Sequence, residues 1–142
     1  MLMREIIKDT LTIEAKLEKL DDVFAFVNKA FSSYGFEEEY CKQLEIVVEE
    51  IFVNIASYAY GDGGQGDAIV ECGMEGDAGV LIFKDHGTPY DPTAKEDPVI
   101  GDPYKMTIGG YGIYMVKHIM DDVTYRYDDT KKENILIMRK NK

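Results

Sequence analysis

The spacing of apolar residues changes several times along this chain, and each change predicts an element. In "IKDTLTIEA" Leu11 and Ile13 stand two apart, the period of a strand, here an edge strand. Leu20, Phe24, Val27 and Phe31 then follow at spacings of four, three and four, the stripe of an amphipathic helix, and Gly35 is its natural stop. "EEEYCKQLEIVVEEIFVNIASYAYGDGGQG" predicts the strongest helix, with Leu44, Val48, Ile51 and Ile55 on one face and an end near Gly61. "DAIVECGME" alternates Ile69 and Glu71 against Val70 and Cys72, a half-buried strand. "GVLIFKD" carries four consecutive apolar residues, Val80 to Phe83, as a central strand does, and "MEGDAG" joins the two as a hairpin. From His86 to Gly110 the pattern dissolves into Pro, Gly and Asp, a stretch too long for an ordinary connector. A helix (Ile113 to Met120), the strand "VTYRY", the turn "DDTKKEN" and the strand "ILIMRK" complete the order β-α-α-β-β-loop-α-β-β. This order predicts an α+β two-layer sandwich, with helices packed on one face of a mixed, largely antiparallel sheet. With no linker and no internal repeat, residues 1–142 read as one domain.

Composition narrows the function. At 45% apolar and 30% charged residues the chain has the make-up of an ordinary globular protein. No run approaches the roughly 18 apolar residues of a membrane span, and charges at Arg4, Glu5, Lys8 and Asp9 interrupt any apolar leader core, so the expected compartment is the cytoplasm, with no membrane partner. A formal charge of −11 argues against nucleic acid as a partner, because phosphate-backbone binding needs clustered Lys and Arg. It leaves open an anionic ligand held by backbone N–H groups and a cation. Cys41 and Cys72 lack metal or redox spacing, and His86 and His118 lie in no metal motif.

Three short stretches carry candidate chemistry. On a helical wheel with Glu50 as origin, Asn54 lies at about 40° and the stripe of Leu44, Val48, Ile51 and Ile55 at about 100–160°. Glu50 and Asn54 thus share a polar strip beside the core face, one turn apart. A carboxamide oxygen there suits a hard cation such as Mg²⁺, and a carboxylate can accept a hydroxyl proton; a solvated helix face has the same pattern. In "KDHGTPYDP", Asp85 ends the apolar run and Gly87 admits close approach to the backbone. Such an Asp can accept a hydrogen bond from an exocyclic amine such as that of adenine; a plain turn reads alike. In "TIGGYGIYMVKHIMDDV", Gly110 and Gly112 open a helix whose first N–H groups suit an anion, though a turn or close packing uses glycine equally. The Lys-Ser/Thr of a Walker loop is missing, and Met115 replaces the third glycine of a Rossmann fingerprint.

In this order the stretches resemble the ATP-binding (Bergerat) fold shared by histidine kinases, gyrase, Hsp90 and MutL, the GHKL family, and most closely its branch of bacterial anti-sigma factors that are serine-protein kinases. "VVEEIFVNIASYAY" looks like that branch's N-box, "DHGTPYDP" like its D-x-G-x-P-F-D-P box, and "IGGYGIYMVKHIMDDVTYRYDDTKKENILIMRK" like its C-terminal segment, so the likeness runs from about Leu11 to Lys140. The resemblance implies Glu50 as general base, Asn54 as the Mg²⁺-binding asparagine, Asp85 on the adenine amine, Gly87 under the base, and Gly110 and Gly112 against the phosphates. It implies a lid from Pro89 to Ile108 with Gly109 as its pivot, and ATP and Mg²⁺ as cofactors. It further implies a sigma factor and a STAS-domain anti-anti-sigma protein as partners, a homodimer, and serine/threonine-protein kinase activity; the alternative is a non-catalytic ATP-dependent regulatory binding module. Two positions depart from the branch: Tyr58 where many relatives carry His, and Tyr90 where an aromatic Phe is usual.

Overall fold

The computed structural model describes residues 6–61, 64–94 and 110–142. Strand β1 (Ile7–Glu14) alternates half-buried and exposed positions along its length, as its period-two sequence requires. Helix α1 (Leu20–Ser33) buries Val23, Val27, Ala30 and Phe31, and Gly35 beyond its end adopts φ +91°, a left-handed stop suited to glycine. Helix α2 (Glu38–Asn54) buries Cys41, Leu44, Val47, Val48, Ile51 and Phe52 along one side. It runs without a break into a π-helical turn, Ile55–Ala59, and the chain leaves it at Gly61 with φ +72°. Strands β2 (Asp67–Glu75) and β3 (Ala78–Asp85) form a hairpin, α3 (Gly110–Ile119) crosses back, and β4 (Asp122–Asp128) and β5 (Glu133–Asn141) form a second hairpin.

The strands are ordered β1-β2-β3-β5-β4. The sequence leads to a mixed, largely antiparallel sheet; among the described residues all four pairings are antiparallel, because β5 enters between β3 and β4 in the opposite direction to both. β1 is an edge strand and β3 is central, as their apolar patterns require. The three α-helices lie on one face, where Val23, Phe31, Leu44, Val48 and Phe52 pack on Val70, Leu81, Phe83, Leu136 and Met138. Alternate β3 residues Val80 and Ile82 join Ile6 and Ile135 in a smaller cluster on the opposite face. β3 is therefore buried on both sides, which is why its sequence is apolar without alternation. Cys41 and Cys72 are both buried free thiols.

This arrangement brings the end of α2, the end of β3 and the beginning of β5 to the same edge of the sandwich. Of the stretch expected to form a lid, the structure describes Pro89 to Ala94, with a single 3₁₀ turn at Pro92–Ala94. Residues 95–108 of that lid, and Gly109 expected as its pivot, lie outside the described residues.

Candidate functional site

Asp85 is the last residue of β3 and, at 7% exposure, one of the few buried acidic side chains. An ionised carboxylate tolerates such burial only with hydrogen-bond partners. Here Oδ1 accepts the Gly87 N–H at 2.9 Å and Asn134 Nδ2 at 2.9 Å. Asn134, itself 7% exposed, stands directly opposite Asp85 in the β3–β5 register. Its Nδ2 also reaches the carbonyls of Gly87 (3.3 Å) and Thr88 (3.2 Å), while its Oδ1 accepts the Tyr90 N–H (3.1 Å) and the Tyr125 hydroxyl. Burial raises the Tyr125 phenol, so it remains a donor at neutral pH. Among the described residues no hydrogen bond is made to Asp85 Oδ2. One carboxylate oxygen is thus fixed by the protein and the other is left as an acceptor.

Asp85 lines a cavity of about 310 Å³ walled also by Ile51, Ile55, Phe83 and Leu136, with exposed Tyr58 and Tyr90 among its lining residues. The volume lies at the lower end of small-molecule sites. Asn54 also lines it, one helical turn from Glu50 on α2, and donates Nδ2 to Glu50 Oε1 at 3.0 Å. With Nδ2 so engaged, the Asn54 side chain turns its oxygen to other partners. Glu50 is not a wall residue of the cavity; its carboxylate lies against Gly112 in the first turn of α3. Gly110 is the first residue of that helix. The structure therefore brings Asn54 and Asp85 to one cavity and sets Glu50 and Gly112 together beside it.

The π-helical turn fixes the distance between these groups. Its last residue, Ala59, offers its carbonyl to the Thr88 N–H at 2.9 Å. The next residue, Tyr60, bridges two strands: its hydroxyl donates to the Asp67 carbonyl and accepts the His86 N–H at 2.9 Å. Burial first, then the nearby Asp85 and Asp67 carboxylates, raise the Tyr60 phenol and keep its proton in place. Gly87 is pressed so closely on this turn that a Cβ there would lie 2.1 Å from the Ala59 carbonyl oxygen. Its bare Cα is thus required by the contact between loop and helix end, and Gly87 is not a wall residue of the cavity.

The residues present suit an adenine nucleotide. A flat heteroaromatic ring fits between apolar walls, and an exocyclic amine has Asp85 Oδ2, unbonded among the described residues, to donate to. Among the described residues no Lys or Arg lines the cavity, so phosphate charge would be met by a cation and by the backbone N–H groups at the start of α3. No group of three or more His, Cys, Asp or Glu side chains able to hold a metal occurs among the described residues. Mg²⁺ commonly takes one or two protein ligands and completes its shell with phosphates and water, a role the Asn54 oxygen matches.

Pattern reading singles out Glu50, Asn54, Asp85, Gly87, Gly110 and Gly112 as candidates, and does not single out Asn134, Tyr60 or Tyr125, which the structure sets around Asp85 and Gly87. Asn134 had one signal, a polar residue heading the run "NILIM" of a strand; only the register shows that it faces Asp85. Tyr60 had none beyond its place after the helix.

Comparison with known proteins places these features in a family. The sequence profile of the histidine kinase-like ATPase domain matches residues 13–140. The chain is 29% identical over 127 residues to the serine-protein kinase RsbW of Listeria innocua, covering 86% of this chain and 81% of that protein. It is 27% identical over 120 residues to the RsbW of Bacillus velezensis, covering 80% and 74%. Against the RsbW of Bacillus subtilis it is 26% identical over 99 residues, covering 65% and 61%. No helix among the described residues is long and apolar enough to cross a membrane. The profile match over nearly its whole length establishes that this chain, with its antiparallel sheet and the helices packed on one face, belongs to the histidine kinase-like ATPase family.

Proposed function

We propose that the chain is an ATP- and Mg²⁺-dependent serine/threonine-protein kinase and anti-sigma factor, which phosphorylates a STAS-type anti-anti-sigma protein and sequesters a sigma factor as a homodimer. The observation that carries this reading is the Asp85 carboxylate, buried at the floor of an apolar cavity with one oxygen locked by Asn134 and Gly87 and the other open. Relatives named serine-protein kinases supply the activity, and the site supplies groups to perform it.

In this reading Asp85 Oδ2 accepts the adenine amine, and the cavity walls exclude water from the ring. Mg²⁺, when bound, neutralises phosphate charge, and the Asn54 oxygen is the protein group that would hold it. Glu50 Oε1 is fixed by Asn54 Nδ2, while Oε2 has no hydrogen-bond partner among the described residues. Oε2 is therefore the atom positioned to take the proton of an acceptor hydroxyl. As that proton leaves, the acceptor oxygen bonds to the γ-phosphorus and the bond from phosphorus to the ADP oxygen breaks. Such transfer needs positioning and electrostatic stabilisation more than covalent assistance.

The test is transfer of radiolabel from γ-labelled ATP to a STAS-domain protein encoded beside this chain or co-purified with it. Label appearing on Ser or Thr of that protein is the expected result. Tight ATP binding without transfer would refute the kinase and leave the regulatory module. A pull-down with and without ATP tests the sigma factor in the same way, and sedimentation tests the dimer.

A further inference from the structure

Gly112 stands where the resemblance assigns a glycine to the phosphates, yet its missing side chain has another occupant. A Cβ built on Gly112 would lie 1.8 Å from Glu50 Oε2, 2.0 Å from Glu50 Cδ and 2.4 Å from Oε1. Contacts below 3.0 Å are essentially never seen for a real Cβ. The Glu50 carboxylate therefore fills the volume that any other residue at 112 would need. Neither backbone is free to retreat. α3 is anchored by buried Ile113, Val116 and Ile119, and α2 by buried Val47 and Ile51 on either side of Glu50. The flexible partner is the Glu50 side chain, and moving it breaks its bond to Asn54 Nδ2.

We propose that Gly112 is a positioning residue for Glu50: its bare Cα is what allows the carboxylate to sit on Asn54 at the entrance of α3. This deepens the kinase reading and rests on it. It assigns the missing side chain to the placement of the proton acceptor, and it joins α2 and α3 through one carboxylate. A displacement on the order of 1 Å of a reacting group costs about 100-fold in rate, which sets the effect expected of one added methyl.

The Asn54 side-chain amide resonances in ¹⁵N-labelled protein report the hydrogen bond directly. Gly112→Ala is expected to shift that pair toward its position in Glu50→Ala, and to lower the transfer rate at saturating ATP about 100-fold. ATP affinity by calorimetry stays within about threefold of wild type. Glu50→Asp, one methylene shorter, is expected to restore at least tenfold of the rate in the Gly112→Ala background. Asn54 resonances unmoved in folded Gly112→Ala overturn the proposal. So does a rise of more than tenfold in the ATP Kd with the saturated rate intact, which would return Gly112 to the phosphates. Should Gly112→Ala fail to fold, Glu50→Ala combined with it is expected to recover the wild-type Tm, since the colliding carboxylate is gone; a double variant as unstable as the single one overturns the proposal. The base role is judged separately. Glu50→Gln transferring at the wild-type rate refutes that role, while the Asn54 resonances still decide the positioning.

Discussion

Replacing Asn134 by Ala tests whether the floor of the cavity is held as described. The carboxamide makes five hydrogen bonds, three through Nδ2 and two through Oδ1. Nδ2 has two hydrogens for three acceptors, so the short bond to Asp85 takes one and the Gly87 and Thr88 carbonyls at 3.3 and 3.2 Å share the other. The bond to Asp85 is charge-assisted and buried, worth about 1.5–3 kcal/mol. The bonds to Tyr90 and Tyr125 contribute less, because Tyr90 is half exposed and can bind water instead. The expected loss is about 3 kcal/mol, or roughly 10 °C in Tm for a domain of this size. Urea unfolding at pH 7 measures it, with an unchanged m-value confirming that the native fold is retained. The sharper quantity is the coupling to Asp85 in a double-mutant cycle with Asp85→Ala, expected at about 1.5–3 kcal/mol. Coupling below about 0.5 kcal/mol would mean that Asn134 does not hold Asp85, and the description of the floor would fail.

Three further outcomes are expected. Asp85→Asn keeps an acceptor for Gly87 but turns an N–H₂ toward the adenine amine; ATP affinity should fall at least about tenfold with Tm nearly unchanged, and equal calorimetric affinity would remove Asp85 from the base. Asn54→Ala should abolish the Mg²⁺ dependence of ATP binding, seen by titrating ATP with Mg²⁺ or with EDTA; persistence of that dependence would assign the cation elsewhere. Lys132 is the only described non-glycine residue with positive φ, at 54°, and its side chain is exposed. Lys132→Gly should therefore raise stability by about 0.5–1 kcal/mol, and a loss in thermal unfolding would show that the side chain supports the turn.

How far the sequence spoke depended on whether a feature is local. The apolar stripe of α2 and the unbroken run of β3 are properties of neighbouring residues, and both elements lie where their patterns put them. Gly35 and Gly61 stop their helices for a reason carried by one residue, the left-handed backbone. Asn134 is 49 positions beyond Asp85, and their pairing is a matter of sheet register, which no short window contains. The π-helical turn at Ile55–Ala59 was equally hidden, since its sequence continues the α-helical one and the tertiary bonds of Ala59 and Tyr60 favour it. Gly87 stands out in the sequence for the close approach to the backbone it admits, and Gly112 for its place at the opening of a helix. What each makes room for, a carbonyl in one case and a carboxylate in the other, is visible only with their neighbours in place.

The strand order has a consequence for how the chain is made. β5 follows β3 and β4 in synthesis yet lies between them, so β4 has no other partner and β3 keeps one side open until β5 emerges. Until then the segment from Val80 to Phe83 is an unpaired apolar edge, the kind that recruits other chains. Asp85 meanwhile lacks Asn134, so the floor of the cavity is not yet assembled. The final hairpin acts as a clasp: shortening it takes from β3 its second partner and from β4 the strand it pairs with, and a ribosome stalled before Glu133 presents a sticky intermediate to the chaperones of the cell.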